Sequence, residues 1–155
     1  MGIPVGQWPP GQFTRQVVRA AAALGATWDA SPLEIQTGQY AHALLYISYT
    51  RGAAGGAVDL RIEVSPYSTS AEAAGAQEWF RASVYAAGAV AANSDVASAF
   101  QRDIITYGAV GATAEHVVYG PIALNRCVCR MRVACRESGA PATPGTCEIV
   151  AHLGY

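Results

Sequence analysis

The chain has 155 residues, 52% of them hydrophobic and only 14% charged, with a formal net charge of −1. That length fits one domain with a sizeable core, and the near-zero charge excludes bulk electrostatic attraction to nucleic acid or to an anionic membrane. Average soluble domains carry about 25% charged residues, so a surface this poor in charge is expected to cover part of itself with copies of itself.

The N-terminal stretch Met1–Phe13 holds Pro4, Pro9 and Pro10 among glycines, with Trp8 and Phe13 as apolar anchors. Proline removes backbone donors and favours extended chain, which makes this an arm outside the core, residues 1–13, ahead of a single domain over 14–155. A frayed terminus is the plain alternative. A tryptophan spent on a free tail favours an arm that docks on a neighbouring subunit through Trp8. The first residues lack the basic and apolar regions of a signal peptide, and Gly6 stands where a myristoylation motif wants Ser or Thr. No apolar run reaches the roughly 18 residues of a membrane helix. The chain is expected to be made and used without secretion. All ten basic residues are arginine, which suits interfaces better than lysine does.

Thr14–Leu24 is ambiguous. Val17, Val18, Ala21 and Leu24 have helical spacing and Gly25 is a stop, but the strand-rich remainder tips the reading to a strand. Pro32–Gln36 alternates briefly, as a short strand. His42–Tyr49 is apolar on both faces, the mark of a strand covered by the core on one side and by a second surface on the other. The glycine-rich Arg51–Gly56 lacks a phosphate-loop pattern and reads as a turn. In Val58–Ser65 the apolar Val58, Leu60, Ile62 and Val64 alternate with Asp59, Arg61, Glu63 and Ser65, so one strand face is buried and the other meets water. Pro66–Gln77 is a loop with room for a helical turn at Ser70–Ala76. Strands follow at Glu78–Ala86, Ala99–Tyr107 and Thr113–Tyr119, with a small-residue connection at Ala87–Ser98 and a turn at Gly108–Gly111.

Arg126–Arg136 puts Cys127, Cys129, Met131, Val133 and Cys135 on one face and Arg126, Arg130, Arg132 and Arg136 on the other. Cys147–Tyr155 is the last strand, joined to it by a hairpin loop, Glu137–Thr146. The whole predicts an all-β fold: an antiparallel β-sandwich, jelly-roll-like, with a Pro/Gly-rich N-terminal arm.

Chemistry is scarce. No nucleophile elbow occurs. Asp59 and Glu63, with Arg61 between them, read as a self-neutralising solvent face. His42, His116 and His152 are isolated on different strands, and Cys127 and Cys129 lack a second ligand pair at zinc spacing. No catalytic, cofactor-binding or metal-ligating residue is assigned, no cofactor is expected, and the chain is expected not to be an enzyme. If the terminal hairpin is regular, Cys135 and Cys147 sit opposite each other and are open to a disulfide; buried reduced thiols are the alternative. The arginine stripe has a plain reading, pairing with acids on an adjacent strand, and a functional one, contact with a partner's acidic face. Nucleic-acid binding would want interleaved aromatics, and Val128 and Ala134 stand there instead.

The layout resembles small virion proteins of tailed bacteriophages. The residues that carry the resemblance are the apolar strand Ala43–Tyr49, the turn Gly52–Gly56, the alternating strand ending Val64-Ser65-Pro66, the loop to Trp79, the arginine-bearing Ile122–Val133 and the terminal Glu148–Leu153. Tyr67 departs from the usual acidic residue, as do the cysteines near the C-terminus. The resemblance implies a capsid decoration or cement protein: a sandwich on the outer head surface, made in the host cytoplasm, often a homotrimer, with the major capsid protein and itself as partners and neither nucleic acid nor membrane. Trp8, Phe13, Arg126, Arg130, Arg132 and Arg136 are then the candidate subunit contacts. It also permits a tail or neck accessory protein, or a receptor-binding module that holds carbohydrate through Tyr67, Trp79 or Tyr85. An accessory domain of a cellular enzyme is the remaining class.

Overall fold

Burial with a period of two runs through the long strands, as a pleated surface with one packed face requires. A computed structural model describes residues 13–82, 84–85, 101–102, 104–108, 114–139 and 141–155. In chain order the strands are β1 (Phe13–Ala23), β2 (Glu34–Gln36), β3 (His42–Thr50), β4 (Ala57–Ser65), β5 (Phe80–Arg81), β6 (Val84–Tyr85), β7 (Gln101–Arg102), β8 (Ile105–Gly108), β9 (Ala114–Ala123), β10 (Arg130–Ser138) and β11 (Thr146–Gly154). No helix occurs among the described residues. The expected arm up to residue 12, Trp8 included, the connection 87–98 and most of the turn 108–111 lie outside them.

Two antiparallel sheets face each other. The first has the order β1-β11-β3-β9 and the second β2-β10-β4-β5, with β8 also pairing β4; β6 and β7 form a small ribbon of their own. β5 takes Glu63 and Val64 of β4 while β8 takes Ala57 to Leu60, so the two act as one interrupted strand along a shared edge. Counted that way, the first sheet holds the first, eighth, third and sixth strands and the second holds the second, seventh, fourth and fifth. That is jelly-roll order, and it confirms the expected all-β sandwich. Val18, Leu45, Ile47, Tyr49, Ile149 and Leu153 from the first sheet meet Leu60, Ile62, Met131 and Val133 from the second in a core without exposed atoms to speak of.

β1 shows how tertiary context overrides propensity. Four consecutive alanines favour helix, yet the stretch pairs with β11 from Phe13↔Gly154 to Ala23↔Thr146, with register shifts around Arg19.

Four expectations are corrected. The chain between β10 and β11 is no hairpin, because β10 pairs with β2 and β4 while β11 pairs with β1 and β3. It crosses from one sheet to the other, so Cys135 and Cys147 share no ladder. β10 does not start at residue 126: Asn125 and Arg126 take left-handed φ of 50° and 56°, and a turn closed by Cys127 N–H to Leu124 O swings the chain between sheets. Finally, the polar face of β4 does not meet water, since Asp59 and Glu63 are only 5% and 7% exposed. In place of a helical turn, 70–76 holds turns closed from Ala74 to Ala71 and from Ala76 to Ala73.

Glu137 sits where two of the sheet-crossing connections, β3 to β4 and β10 to β11, pass each other. Tyr49 donates its hydroxyl to Oε1 at 3.0 Å, Ala57 N–H donates to the same oxygen at 3.1 Å, and Gly145 N–H donates to Oε2 at 2.7 Å. A buried carboxylate is tolerated when its lone pairs are filled in this way. Burial, and then the bond to Glu137, push the Tyr49 hydroxyl far above its ordinary value. Only glycine fits at 145, where a Cβ would fall 2.5 Å from the Tyr49 ring.

Candidate functional site: the two outer faces

On the outer face of the second sheet β10 and β4 lie in direct register, with Arg132 opposite Glu63 and Arg136 opposite Asp59. Opposite charges therefore meet across the ladder. Arg132 Nε donates to Glu63 Oε2 at 2.6 Å and Arg136 Nε to Asp59 Oδ2 at 2.9 Å. Thr106 adds a 2.7 Å bond to Asp59 Oδ1. Arg61 Nε stands 3.0 Å from Glu63 Oε1, off the hydrogen-bond axis.

Arg130 is 2% exposed and its fork is filled: Nη1 donates to Glu34 at 2.7 Å, Nη2 to Glu78 at 2.6 Å and Nε to the Tyr67 carbonyl at 2.8 Å. Burial alone would lower its pKa; the bonds to Glu78 and Glu34 reverse that and raise it. Glu78 in turn is held below the usual carboxylate value by Ser70 and then by Arg130.

Two tryptophans from distant loops roof this layer. Trp79 lies 4.9 Å from the Arg130 guanidinium and 4.1 Å from that of Arg132, while Trp28 lies 4.8 Å from Arg61 and 4.6 Å from Arg136. Cation–π contact and partial desolvation both strengthen the pairing beneath. Three of the four stripe arginines are thus engaged within the chain. Arg126 is not part of the stripe: it projects from the exposed turn before β10.

The first sheet is the opposite case. Register aligns Val17, Val150, Tyr46 and Val118 in one row across all four strands. Directly opposed residues share a face, so this apolar row lies on the outside, with Val17, Tyr46 and Val118 37%, 40% and 55% exposed. On one side of it run Arg15, His152 and Leu44; on the other run Glu148, Ser48 and His116. Phe13, 41% exposed, lines an open groove of about 560 Å³ with His42, Leu44, Pro121 and Ala123 at one end of the face. No described element covers this face.

All three histidines belong to this face, because the topology sets β11, β3 and β9 side by side. His152 packs on Tyr46 with ring centroids 4.5 Å apart, and His116 Nδ1 is 3.0 Å from Ser48 Oγ. They do not converge: among the described residues no three His, Cys, Asp or Glu side chains are grouped to hold a metal.

The cysteines stay as free thiols. Cys135 and Cys147 face each other across the core and their backbones are tied by one polar bridge. Asp29 Oδ2 accepts from Cys135 N–H at 3.1 Å and from Arg19 Nε at 3.0 Å, and Arg19 Nη1 reaches the Cys147 carbonyl at 2.5 Å. The hydrogen bond to Cys147 and then burial push the Cys135 thiol up. Cys127 is exposed on the turn and Cys129 is half-buried.

The two apolar faces of His42–Tyr49 had pointed to a second surface over this strand; what the sequence did not show is that Val17, Val150 and Val118 extend Tyr46 into a row. Nothing in the sequence marked Trp28 as a partner of Arg61 and Arg136. Comparison with protein-family models and with curated proteins finds no match.

Proposed function

We propose that this chain is a structural virion protein with no enzymatic activity, a decoration protein that binds the outer surface of a tailed-phage head and stabilises it through repeated subunit contacts. The observation that carries this reading is the apolar row on the first sheet, a surface suited to contacts between neighbouring copies on the shell, beside a second sheet whose charges are paired within the chain. A jelly roll is a frequent architecture of capsid domains, and equally of lectins and cupins; fold alone does not choose among them. The space between the sheets, where a cupin would hold its chemistry, is filled here by Leu45, Ile47, Leu60, Ile62 and Met131. The glycan-binding reading would need a free aromatic platform, and Trp79 gives its ring to Arg130 and Arg132. Each copy contributes a modest contact, and symmetry on the shell multiplies it.

The test is co-sedimentation of the full chain with heads assembled from the major capsid protein of the phage whose genome encodes it. Saturable binding at a fixed ratio to capsomers, with heads that then resist heat better, is the expected result. Heads left bare at about 10 μM chain, a concentration at which even a modest interface of about −7 kcal/mol is half-occupied, overturn the proposal.

A further inference from the structure

We infer that the outer face of the first sheet pairs with the same face of a second copy, about a two-fold axis running along the Val17–Val150–Tyr46–Val118 row. The inference rests on the reading that this face serves protein contacts; it does not depend on the virion address.

The charges choose the occupant. On this face Arg15 and His152 lie on one side of the apolar row and Glu148 lies on the other, each two residues along its strand from the row. A two-fold axis in the plane of the interface and along the row keeps every strand at its own position across the sheet. It reverses the strand direction. The row on one side of the axis in one copy is therefore laid over the row on the other side in its mate. β11 meets β11, so His152 of each copy comes over Glu148 of the other, and Arg15 on the neighbouring β1 lies beside the same carboxylate. Symmetry makes the contact twice. The other face-to-face two-fold, along the strands, would lay β11 over β3 and set Glu148 over Ser48 and His152 over Leu44, so neither charge would meet its opposite. The charge pattern thus favours the two-fold along the row over the one along the strands.

The apolar groups agree. Val17, Tyr46 and Val118, the exposed members of the row, each meet their own counterparts along the axis, which makes a self-complementary strip of the kind an isologous interface needs. Sheets pack face to face at about 10 Å with a rotation of about 30°, a spacing that Arg, Glu and His side chains span. Ser48 and Leu44 continue the flanking rows, His116 ends the row of Glu148 and Ser48, and His42 lies one row further out. Tyr46, already packed on His152, gives the centre a rigid aromatic body of the type that dominates binding energy.

The experiment is sedimentation velocity on the full chain from about 1 to 100 μM at low salt, repeated with Glu148→Arg, with the double variant Arg15→Glu/Glu148→Arg and with Val118→Glu. A dimer is expected. Glu148→Arg and Val118→Glu should each weaken it by about 10-fold or more, and the double variant should recover most of the loss from Glu148→Arg, since opposed charges at a close interface couple strongly. Unchanged thermal unfolding of the variants shows that they fold. A chain that stays monomeric at the highest concentration, a closed trimer, or a dimer indifferent to Glu148→Arg overturns the inference. A monomer that still sediments with capsid heads would overturn it while leaving the decoration reading in place. A dimer that ignores heads would do the reverse.

Discussion

The two sheets of this molecule finish their outer faces by different means. On the second, β4 and β10 meet charge against charge, and loops carry Trp28 and Trp79 over the top, so that even Arg130 is 2% exposed. On the first, Val17, Tyr46 and Val118 are left in the open around a buried Val150, with Val118 55% exposed. The difference teaches where to look for the partner. Charged residues, commonly taken as the sticky part of a surface, are here internal mortar, and the weakly charged face is the one left unfinished. A buried ion pair gains little over an apolar filling and costs much when halved; an exposed apolar row costs little in the isolated chain and gains on being covered.

The largest effect should come from breaking the second sheet's layer. Arg130→Ala removes the fork that holds Glu34, Glu78 and the Tyr67 carbonyl together. A loss of about 3 kcal/mol is expected in denaturant unfolding, by the magnitude typical of halving a buried pair. Arg130→Lys should restore only part of it, because a point ammonium cannot serve three directions in a plane.

Acid titration gives the next, smaller effect. Glu78 is held below its ordinary value by Ser70 and Arg130. A depressed carboxylate contributes stability above its unfolded value and loses it as pH falls through the folded one. Thermal stability should therefore decline below the usual glutamate range, and Glu78→Gln should flatten that limb. A variant whose acid limb matches the parent's would show that Glu78 plays no part.

The smallest effect sharpens the comparison from the other side. Val118→Ser should change unfolding stability by no more than about 0.5 kcal/mol, as for other exposed sites. A loss of several times that would mean the row is part of the core.

The strands were legible because the side-chain period of two is local: Val58–Ser65 and the second half of the arginine stripe show it without reference to anything distant. Pairing partners were not. Glu137–Thr146 has the look of a hairpin loop, and only the placement of β4 beside β10 and β3 beside β11 decides that it crosses instead. The same non-local fact hid the candidate site. Asp59 and Glu63 alternate with apolar residues as a water-facing set would, and what buries them is Trp28 and Trp79, thirty-one and sixteen positions away for the nearer carboxylate of each. His42, His116 and His152 look scattered until three strands are laid together. The opposed charges of β10 and β4 could be anticipated as a type of contact; their register could not.

Glu137 has a mechanical consequence. One carboxylate holds Tyr49 on the first sheet, Ala57 at the start of β4 and Gly145 on the last crossing. Ala57 ties the carboxylate to its own sheet, and the layers cannot shear past each other at that end without stretching the bond to Tyr49. A pull applied to either layer is passed to the other through a single rivet, which lets a thin two-layer body transmit force as one plate.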